Sequence, residues 1–497
     1  MAVHTALQPP VAMGATLVAV RPWRWTDPVL FGTALFALLM LASPSLLGDP
    51  DSHWHVAVGR LIWDGGAVPW TDPFSHTVLG DPWIAKEWLS QLLLFAAHRA
   101  GGWTGVVLVT GAALGLLFTL LFAWLERRLR ITAAMTLALL TALFLAPHFL
   151  ARPHVFAFLP LFLWVRGLVD ALDERRAPSP WLLLVIVLWA NLHGSFTFAY
   201  PLAALLALEA VLTAPTGRHL GTIIRWGAFG LAALLAGCLT PYGVHSLLVT
   251  FTVFGSGESL PYINEWQPIG WTMLGFLSVG LAVALSGALL AGGWRNAIRI
   301  AAIGLLAAMT IRHSRFLDVF ALVVPLLVAV PLATRFPELG AETPTDRERW
   351  EWPKRLAILL LAATGLVAAF VRGPEPGPKV TPREALAAAR EAGLRGPVYN
   401  SYDYGGFLIA EGVPTFIDGR TDQLYLGGFI SGLFGAVGKA EHQPFFDFID
   451  RYRVTWAIVP SKGKEQAHFA AMPAWRLIHR DGTAAVYAKE RLRGSLD

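Results

Sequence analysis

Two acidic residues and two histidines lie close together directly after the first long apolar segment, in the stretch Gly48-Asp49-Pro50-Asp51-Ser52-His53-Trp54-His55. A positioned carboxylate can act as a general base. Carboxylates and imidazoles together can also hold a divalent cation such as Mg or Mn. Asp51 and His55 are four residues apart, so on a helix they share one face. The stretch therefore predicts Asp49 and Asp51 as catalytic residues, with Asp49 as the base and Asp51 and His55 orienting it or binding a metal ion.

Three of these residues, Asp51, His53 and His55, also have a structural interpretation. Asp51 stands where a helix begins, and aspartate is a favoured N-cap residue. His53 and His55, the two candidate metal ligands, fit equally well as amphipathic side chains packed at a membrane interface. Asp49 has no evident capping role, which favours it as the base. No cofactor follows with certainty, and the divalent metal is one alternative among these.

The composition indicates that most of the chain lies in lipid. The chain has 497 residues, of which 55% are hydrophobic and 15% charged, and its mean hydropathy is +0.53. A soluble protein of this size does not carry so much apolar material. The net charge of +5 comes from Lys and Arg in short turns between apolar segments, which is typical of membrane topology rather than of nucleic-acid binding.

Apolar segments and arginine clusters together predict about eleven membrane spans, with the N-terminus in the cytoplasm and the C-terminus outside. Residues 1–371 would form this transmembrane domain, including an outer loop, 49–104, with two helices that lie on the membrane. Two spans must fit within 181–213, so the turn at 191–194 should be sunk below the surface. The spans predicted with individual bounds are roughly 28–48, 105–125, 131–147, 155–171, 226–240, 268–291 and 355–371.

Polar residues collect at the predicted outer ends of many spans, which indicates one cavity that opens outward. Arginine binds phosphate oxygens in a bidentate manner, so outer arginines are candidate phosphate contacts. Pairing with neighbouring carboxylates or with lipid headgroups would explain them equally well. The amide and imidazole in the sunken turn could orient a substrate or satisfy broken helix backbone. The predicted substrate-binding or phosphate-binding residues are Arg152, Arg312, Arg315, His193, Asn191, Glu87 and Glu265.

After residue 371 the composition changes. Residues 373–378 read as a Gly-Pro linker, and 372–497 is predicted to be a soluble α/β domain outside the membrane. The pattern predicts a helix over 381–392 that Thr381 caps, and strands at 398–400, 415–417, 456–459 and 484–487. The polar segment 418–422 resembles a ligand loop at a strand end, although a turn held by an Arg–Asp pair explains it as well.

This arrangement resembles the GT-C superfamily of membrane glycosyltransferases, which use polyprenyl-phosphate sugars as donors. The resemblance rests on the many spans, a long first outer loop with Asp49 and Asp51 at its start, and an outer C-terminal domain. It implies that the acidic residue of the first outer loop is catalytic, that transfer inverts the sugar, and that the partners are a polyprenyl-phosphate-linked sugar and membrane lipids. The chain more closely resembles a group of bacterial GT-C-like proteins, through the motifs Asp51-Ser52-His53-Trp54-His55, Thr71-Asp72-Pro73-Phe74-Ser75, Glu87-Trp88-Leu89, Asn191-Leu192-His193-Gly194 and Pro241-Tyr242-Gly243.

Two other functions stay open at this point. A transporter or flippase of lipid-linked glycans would need polar residues inside the spans and repeat symmetry, and the sequence has neither clearly. A scaffold protein that keeps the GT-C fold without catalysis is the other alternative. The rich use of Ala, Arg, Gly and Leu favours a Gram-negative source, and hence the bacterial inner membrane. The sequence leaves the sugar, the acceptor and the oligomeric state open.

Overall fold

The computed structural model describes residues 25–255, 262, 266–270, 272–290, 293, 296–341 and 351–490. Its first part is almost entirely helical. Within the described residues, eight helices are long and apolar enough to cross a membrane. The helices up to residue 372 are α1 (Thr26–Leu41), α2 (Ser43–Leu46), α3 (Asp51–Gly65), α4 (Trp88–Glu126), α5 (Ile131–Leu145), α6 (Pro153–Asp173), α7 (Leu182–Leu192), α8 (Ala199–Leu212), α9 (His219–Ala236), α10 (His245–Gly255), α11 (Met273–Leu290), α12 (Ala297–Arg312), α13 (Leu317–Arg335) and α14 (Glu351–Arg372).

Each of the eleven predicted spans is occupied by a helix. Five of them, α1, α5, α7, α8 and α12, have 11 to 16 residues, which is shorter than the roughly 20 residues that usually cross a bilayer. Adjoining 3-10 turns extend α5 and α8 to 18 and 19 residues. The short α7 confirms the compressed pair of spans within 181–213, because it ends at Leu192 and the backbone of His193 is extended. A polytopic helical membrane fold is therefore confirmed.

Glycines let three of the membrane helices pack closely. A Cβ at Gly115 of α4 would lie 3.1 Å from the carbonyl oxygen of Gly32 in α1, and one at Gly365 of α14 would lie 2.9 Å from the ring of Phe36. Because lipid provides no hydrophobic drive between helices, close backbone approach is the main source of attraction there. These contacts bring α4 and α14 against α1, immediately before the acidic stretch.

Helix α3 is fixed at both ends by the local sequence. It begins at Asp51 and ends where Gly66 adopts φ 65°, a left-handed conformation that glycine takes without strain. Its Gly59 packs on α4, since a Cβ there would lie 2.7 Å from the backbone carbon of Gln91. Helix α4 changes direction at Gly101 and Gly102, whose backbone angles are not helical, so its first turns lie beside α3 and the rest forms a span. The loop 49–104 is therefore helical in both places where the sequence predicts a helix.

The C-terminal part is a small sheet covered by helices. Its elements are α15 (Arg383–Glu391), β1 (Val398–Asn400), α16 (Gly405–Ala410), α17 (Phe429–Gly438), α18 (Gln443–Asp450), β2 (Trp456–Pro460), α19 (Lys464–Ala471), β3 (Trp475–Arg480) and β4 (Ala484–Lys489). The strand order is β1-β2-β4-β3, with β1 and β2 parallel and the other two pairs antiparallel.

The predicted strands at 398–400, 456–459 and 484–487 are confirmed, and the strand at 415–417 is wrong. Thr415 instead forms an isolated bridge with Ser75 of the first loop, in which His76 N–H donates to Thr415 O at 2.9 Å. The predicted cap of α15 is also wrong, because Pro382 is the N-cap and the Thr381 hydroxyl lies 2.8 Å from His53. In both places a contact with the first loop replaces a local one.

Candidate active site

A cavity of about 1100 Å³ lies between the ends of the membrane helices and the C-terminal sheet domain. Its walls come from the start of α3, the residues before α4, the start of α6, the turn after α7, the start of α13, and the loops after β1 and β2 of the sheet domain. A cavity of this size can hold a sugar together with its phosphate group. The prediction that polar ends of many spans meet in one place agrees with this geometry.

Asp49 and Asp51 both line this cavity and share one cation. Nη1 of Arg152 lies 3.1 Å from Oδ2 of Asp49, and Nη2 lies 2.7 Å from Oδ2 of Asp51. The residues Asp49 and Asp51 are only 8% and 6% exposed. A buried carboxylate keeps its charge when a guanidinium neutralises it at hydrogen-bond distance. Arg152 begins α6 as its N-cap residue, so the pairing brings the start of α6 against the start of α3.

Asp49 has the capping role that the sequence did not reveal. Its Oδ1 accepts the backbone N–H of Asp51 at 2.8 Å, while Pro50 is the N-cap and Asp51 is already the first helical residue. Aspartate commonly accepts the N–H two residues onward in this way. The absence of a cap was therefore not a valid reason to prefer Asp49 as the base, and its role has to be argued from the cavity.

Glu87 holds two histidines at the next part of the wall. Its carboxylate lies 3.1 Å from Nε2 of His193 and 3.9 Å from Nδ1 of His55. Nδ1 of His193 accepts the backbone N–H of Ser195 at 3.1 Å, so Nε2 carries the proton that is shared with Glu87. Burial alone would raise the pKa of the Glu87 carboxyl, but His193 and His55 bring it well below its usual range. The structure thus brings Glu87, His193 and His55 together.

His53 lies away from this group. On α3 it points in a different direction from Asp51 and His55, and its Nε2 lies 2.8 Å from the Thr381 hydroxyl. Its ring packs edge-on against Trp103 and Phe407. Burial, with the positive charge of Arg383 nearby, lowers the pKa of His53 to about 3. The prediction of His53 as a metal ligand beside Asp51 is therefore not supported, because helical geometry separates residues two positions apart.

The three predicted phosphate-binding arginines lie in three different environments. Arg152 is paired with the two aspartates, which was the alternative interpretation. Arg315 lines the cavity with its guanidinium 4.3 Å from the centre of the Trp266 ring. Arg312 is exposed at the end of α12 and does not contribute to the described cavity wall. Lys86, which the sequence did not single out, lines the cavity and is paired with Asp422 of the sheet domain.

Asn191 has a structural role, and Glu265 lies outside the described residues. Asn191 Oδ1 accepts from Nε1 of Trp88 at 2.9 Å, and its Nδ2 donates to the carbonyls of Val187 and Leu239 at 2.8 and 3.0 Å. These bonds satisfy the helix end at the sunken turn, which is the structural alternative for this residue. Both polar atoms of the Asn191 side chain thus bond to the protein itself, and a role in orienting a substrate is not needed to explain this residue.

The sheet domain forms the roof over the aspartates. Gly419 lies directly on Asp51, since a Cβ built there would be 2.7 Å from Cγ of Asp51 and 2.8 Å from Nε1 of Trp54. Gly406 packs on the backbone of Pro50 in the same way. Asp403, which also lines the cavity, has a pKa raised by burial and by the charge of Asp49. The sequence gave no signal for these contacts, because they join residues that are more than 350 positions apart in the chain.

The segment 418–422 is held by an Arg–Asp pair, which is one of the two interpretations that the sequence left open. Arg420 is 1% exposed, donates to both oxygens of Asp418 at 2.8 and 2.7 Å, and reaches Asp72 of the first loop at 2.5 Å. Its guanidinium also lies 4.9 Å from the centre of the Trp83 ring. A fully paired buried arginine of this kind fixes one surface on another, so this segment attaches the roof to the first loop.

The predicted divalent metal does not find a ligand set in the part of the chain that the structure describes. There, no three His, Cys, Asp or Glu side chains form a group that could hold an ion. The two candidate carboxylates contact Arg152, His53 faces Thr381, and Nδ1 of His55 lies 3.3 Å from Nε2 of Gln91. Mg²⁺ or Mn²⁺ would need several oxygen ligands directed at one point, and the described residues provide no such group.

Comparison with known proteins supports the fold. No protein-family model matches the sequence, and no curated protein matches it significantly. The apo oligosaccharyltransferase from Archaeoglobus fulgidus has a TM-score of 0.55 and 14% identity, over 94% of this chain and 75% of that one. The archaeal oligosaccharyltransferase AglB from Archaeoglobus fulgidus, in complex with an inhibitory peptide and a dolichol-phosphate, has a TM-score of 0.51 and 13% identity, over 95% of this chain and 75% of that one.

A third structure, of the Archaeoglobus fulgidus oligosaccharyltransferase tethered to an acceptor peptide, has a TM-score of 0.53 and 13% identity, over 95% of this chain and 75% of that one. The alignment extends over the membrane helices and the sheet domain alike. At this level of identity the comparison concerns the fold and not the activity. The chain has the GT-C fold of the archaeal oligosaccharyltransferase, as its resemblance to the GT-C superfamily predicts.

Proposed function

We propose that this protein is a membrane glycosyltransferase, which transfers a sugar from a polyprenyl-phosphate donor to a lipid, glycan or protein acceptor. The observation that carries the proposal is the buried pair of carboxylates, Asp49 and Asp51, held by Arg152 at the wall of a cavity between membrane helices and a sheet domain. The AglB structure that holds a dolichol-phosphate has the same fold, which supports a lipid-linked donor.

Asp49 is the base in this proposal. Asp49 lines the cavity together with Asp403, so it stands beside the space that an acceptor would enter. Asp51 is covered by Gly419 on one side and contacts Arg152 on the other, which suits a group that orients its neighbour. As the acceptor oxygen or nitrogen bonds to the anomeric carbon, its proton passes to Asp49 and the bond from that carbon to the phosphate oxygen breaks. A single displacement of this kind inverts the sugar.

The leaving phosphate needs cations, and two line the cavity. Lys86 and Arg315 are both on its wall, and their charges can stabilise the negative charge that develops on the leaving group. The apolar residues Ile269, Met273 and Leu274 line the same cavity, and Met273 is 75% exposed. An exposed apolar edge at the start of α11 suits the hydrocarbon part of a lipid donor.

The cavity side of the protein faces the outside of a bacterial cytoplasmic membrane in this proposal. Arg128, Arg175, Arg218 and Arg299 lie at helix ends opposite the cavity, where the positive-inside rule expects the cytoplasm. Gly438→Cys in a Cys238→Ser background tests this orientation. A membrane-impermeant maleimide should label the new cysteine in intact spheroplasts, whereas labelling only after lysis would reverse the orientation.

The decisive experiment is a transfer assay with purified protein in nanodiscs and a panel of polyprenyl-phosphate sugars. Asp49→Asn and Asp51→Asn should each lower turnover by at least about 100-fold, the range of general-base catalysis. Asp64→Asn is the matched control, because Asp64 is on the same helix and its side chain is 61% exposed. Donor binding without turnover in every protein would contradict an enzyme and favour a flippase or a scaffold.

A further inference from the structure

Asp49 and Asp51, the proposed catalytic carboxylates, lie close enough together to bind one divalent cation. Their oxygens, however, already contact other groups of the protein. Asp49 Oδ1 accepts the N–H of Asp51 at 2.8 Å, and Asp49 Oδ2 lies 3.1 Å from Nη1 of Arg152. Asp51 Oδ2 lies 2.7 Å from Nη2 of the same guanidinium. Asp51 Oδ1 lies under Gly419, where even a Cβ would not fit. Three of the four carboxylate oxygens thus accept a hydrogen bond from a protein N–H group, and the fourth is covered by Gly419.

Arg152 connects these groups in a way that one metal ion would. Its two terminal nitrogens lie opposite different carboxylates, so a single planar cation bridges both. Arginine is charged at every physiological pH and its fork has a fixed geometry. It therefore aligns the two aspartates and compensates one of their two negative charges, without dependence on metal concentration.

The surroundings would resist a second cation. His154 is next but one to Arg152 in the chain, and its Nε2 lies 2.8 Å from the carbonyl oxygen of His148, so that nitrogen is not directed at Asp49 or Asp51. A divalent ion at either aspartate would stand within a few ångströms of the guanidinium, and like charges at that distance repel strongly in a buried site.

We infer that Arg152 is a built-in cation, which holds Asp49 and Asp51 in the role that a divalent metal ion would otherwise have, so that this site does not bind or need one. Arg152 is a positioning residue in this account, because it acts on the reaction through the aspartates. The consequence for turnover rests on the proposed glycosyl transfer, but the consequence for metal binding does not.

The test compares Arg152→Gln, which removes the charge, with Arg152→Lys, which keeps it. Binding of Mn²⁺ to each purified protein is measured by electron paramagnetic resonance, with Mn²⁺ alone as the probe. The wild type and the Lys variant should have no Mn²⁺ site that depends on Asp51. The Gln variant should gain one, at least about tenfold tighter than any binding to the wild type, and the added change Asp51→Asn should abolish it.

Arg60→Gln is the matched control, because Arg60 is an arginine of α3 whose side chain is 71% exposed. It should leave Mn²⁺ binding unchanged. Folding is checked by thermal unfolding, and if Arg152→Gln unfolds, the wild type and the Lys variant still decide the question. A wild-type Mn²⁺ site that disappears in Asp49→Asn or Asp51→Asn would overturn the inference, and so would a folded Gln variant without a new site.

Turnover gives a second, separate readout. The wild type should keep its full rate after treatment with EDTA, and free guanidinium should restore part of the rate that Arg152→Gln loses. A rate that EDTA abolishes and Mn²⁺ restores would overturn the built-in cation while leaving the transferase standing. No turnover under any condition would contradict the proposed function alone, because the binding arm is measured without substrate.

Discussion

Gly419→Ala tests directly whether the sheet domain positions Asp49 and Asp51, the carboxylates that we propose to be catalytic. In the structure, a Cβ at residue 419 would be 2.7 Å from Cγ of Asp51 and 2.8 Å from Nε1 of Trp54. Ordinary contacts of this kind are about 3.5–4.0 Å. The new methyl group must therefore move either Asp51 or the roof by about 1 Å.

A displacement of this size has a predictable effect. Misplacement of a catalytic group by about 1 Å can lower the rate by about 100-fold, and overpacking of a tight contact costs about 1–3 kcal/mol. We expect kcat/KM for the donor to fall by about 100-fold, with a modest loss of thermal stability. The effect acts through Asp51, so the double variant with Asp51→Asn should be hardly slower than Asp51→Asn alone.

The control is Gly435→Ala in α17, where nothing lies within 4 Å of the added Cβ. It should leave turnover unchanged and may serve as the reference for thermal unfolding, since alanine favours a helix over glycine. Gly406→Ala offers an independent second contact, because its Cβ would meet the backbone of Pro50 immediately before α3. A Gly419→Ala protein with wild-type turnover would refute the idea that the roof touches Asp51.

Three further predictions concern the groups around the cavity. In the folded protein the pKa of His53 is lowered to about 3, whereas in the unfolded chain this histidine gains a proton near pH 6.5. The free energy of unfolding should therefore fall as the pH drops from 6.5 to about 3, by up to about 5 kcal/mol. The unfolding of His53→Gln should lack this pH dependence. Arg420→Met leaves the carboxylates of Asp418 and Asp72 buried without a cation and should cost about 3–5 kcal/mol, whereas a loss under about 1 kcal/mol would contradict the buried pairing. The pKa of the Glu87 carboxyl is held low in the folded protein, so its negative charge stabilises the fold at any pH above the ordinary glutamate pKa. This contribution is lost as the pH falls from the ordinary glutamate pKa towards the lower pKa of the folded protein. The free energy of unfolding of Glu87→Gln, measured by chemical denaturation, should therefore depend less on acid pH than that of the wild type.

Periodicity and composition predicted the features of the fold that depend on residues close together in the chain. Apolar segments predicted the positions of eleven helices, because an apolar segment is a property of neighbours along the chain. The strand β3 was missed since its sequence, Trp475–Arg480, alternates poorly between apolar and polar residues and is largely exposed. It is defined by pairing with β4, which a local pattern does not reveal.

The sequence identified the acidic residues of the candidate site but not the residues that they contact. Asp49, Asp51 and Glu87 were identified by type and by position at span ends. Their partners come from far along the chain: Arg152 is about 100 residues from the aspartates. The interpretation of Arg152 as a phosphate contact therefore depended on knowing which carboxylates were near it, and only the folded chain supplies that.

Two ion pairs join the first loop to the sheet domain, and their surroundings differ. Arg420 and Asp72 are completely buried, so their pairing cannot exchange with a ligand and serves to hold the roof in place. Lys86 and Asp422 are 17% and 29% exposed and line the cavity, so a phosphate can compete with Asp422 for the ammonium group. Because the roof itself covers Asp51 through Gly419, the attachment that fixes the roof also fixes the carboxylate. The sheet domain thus forms part of the wall of the candidate site, and a substrate that reached Asp49 would touch both the membrane helices and the sheet domain.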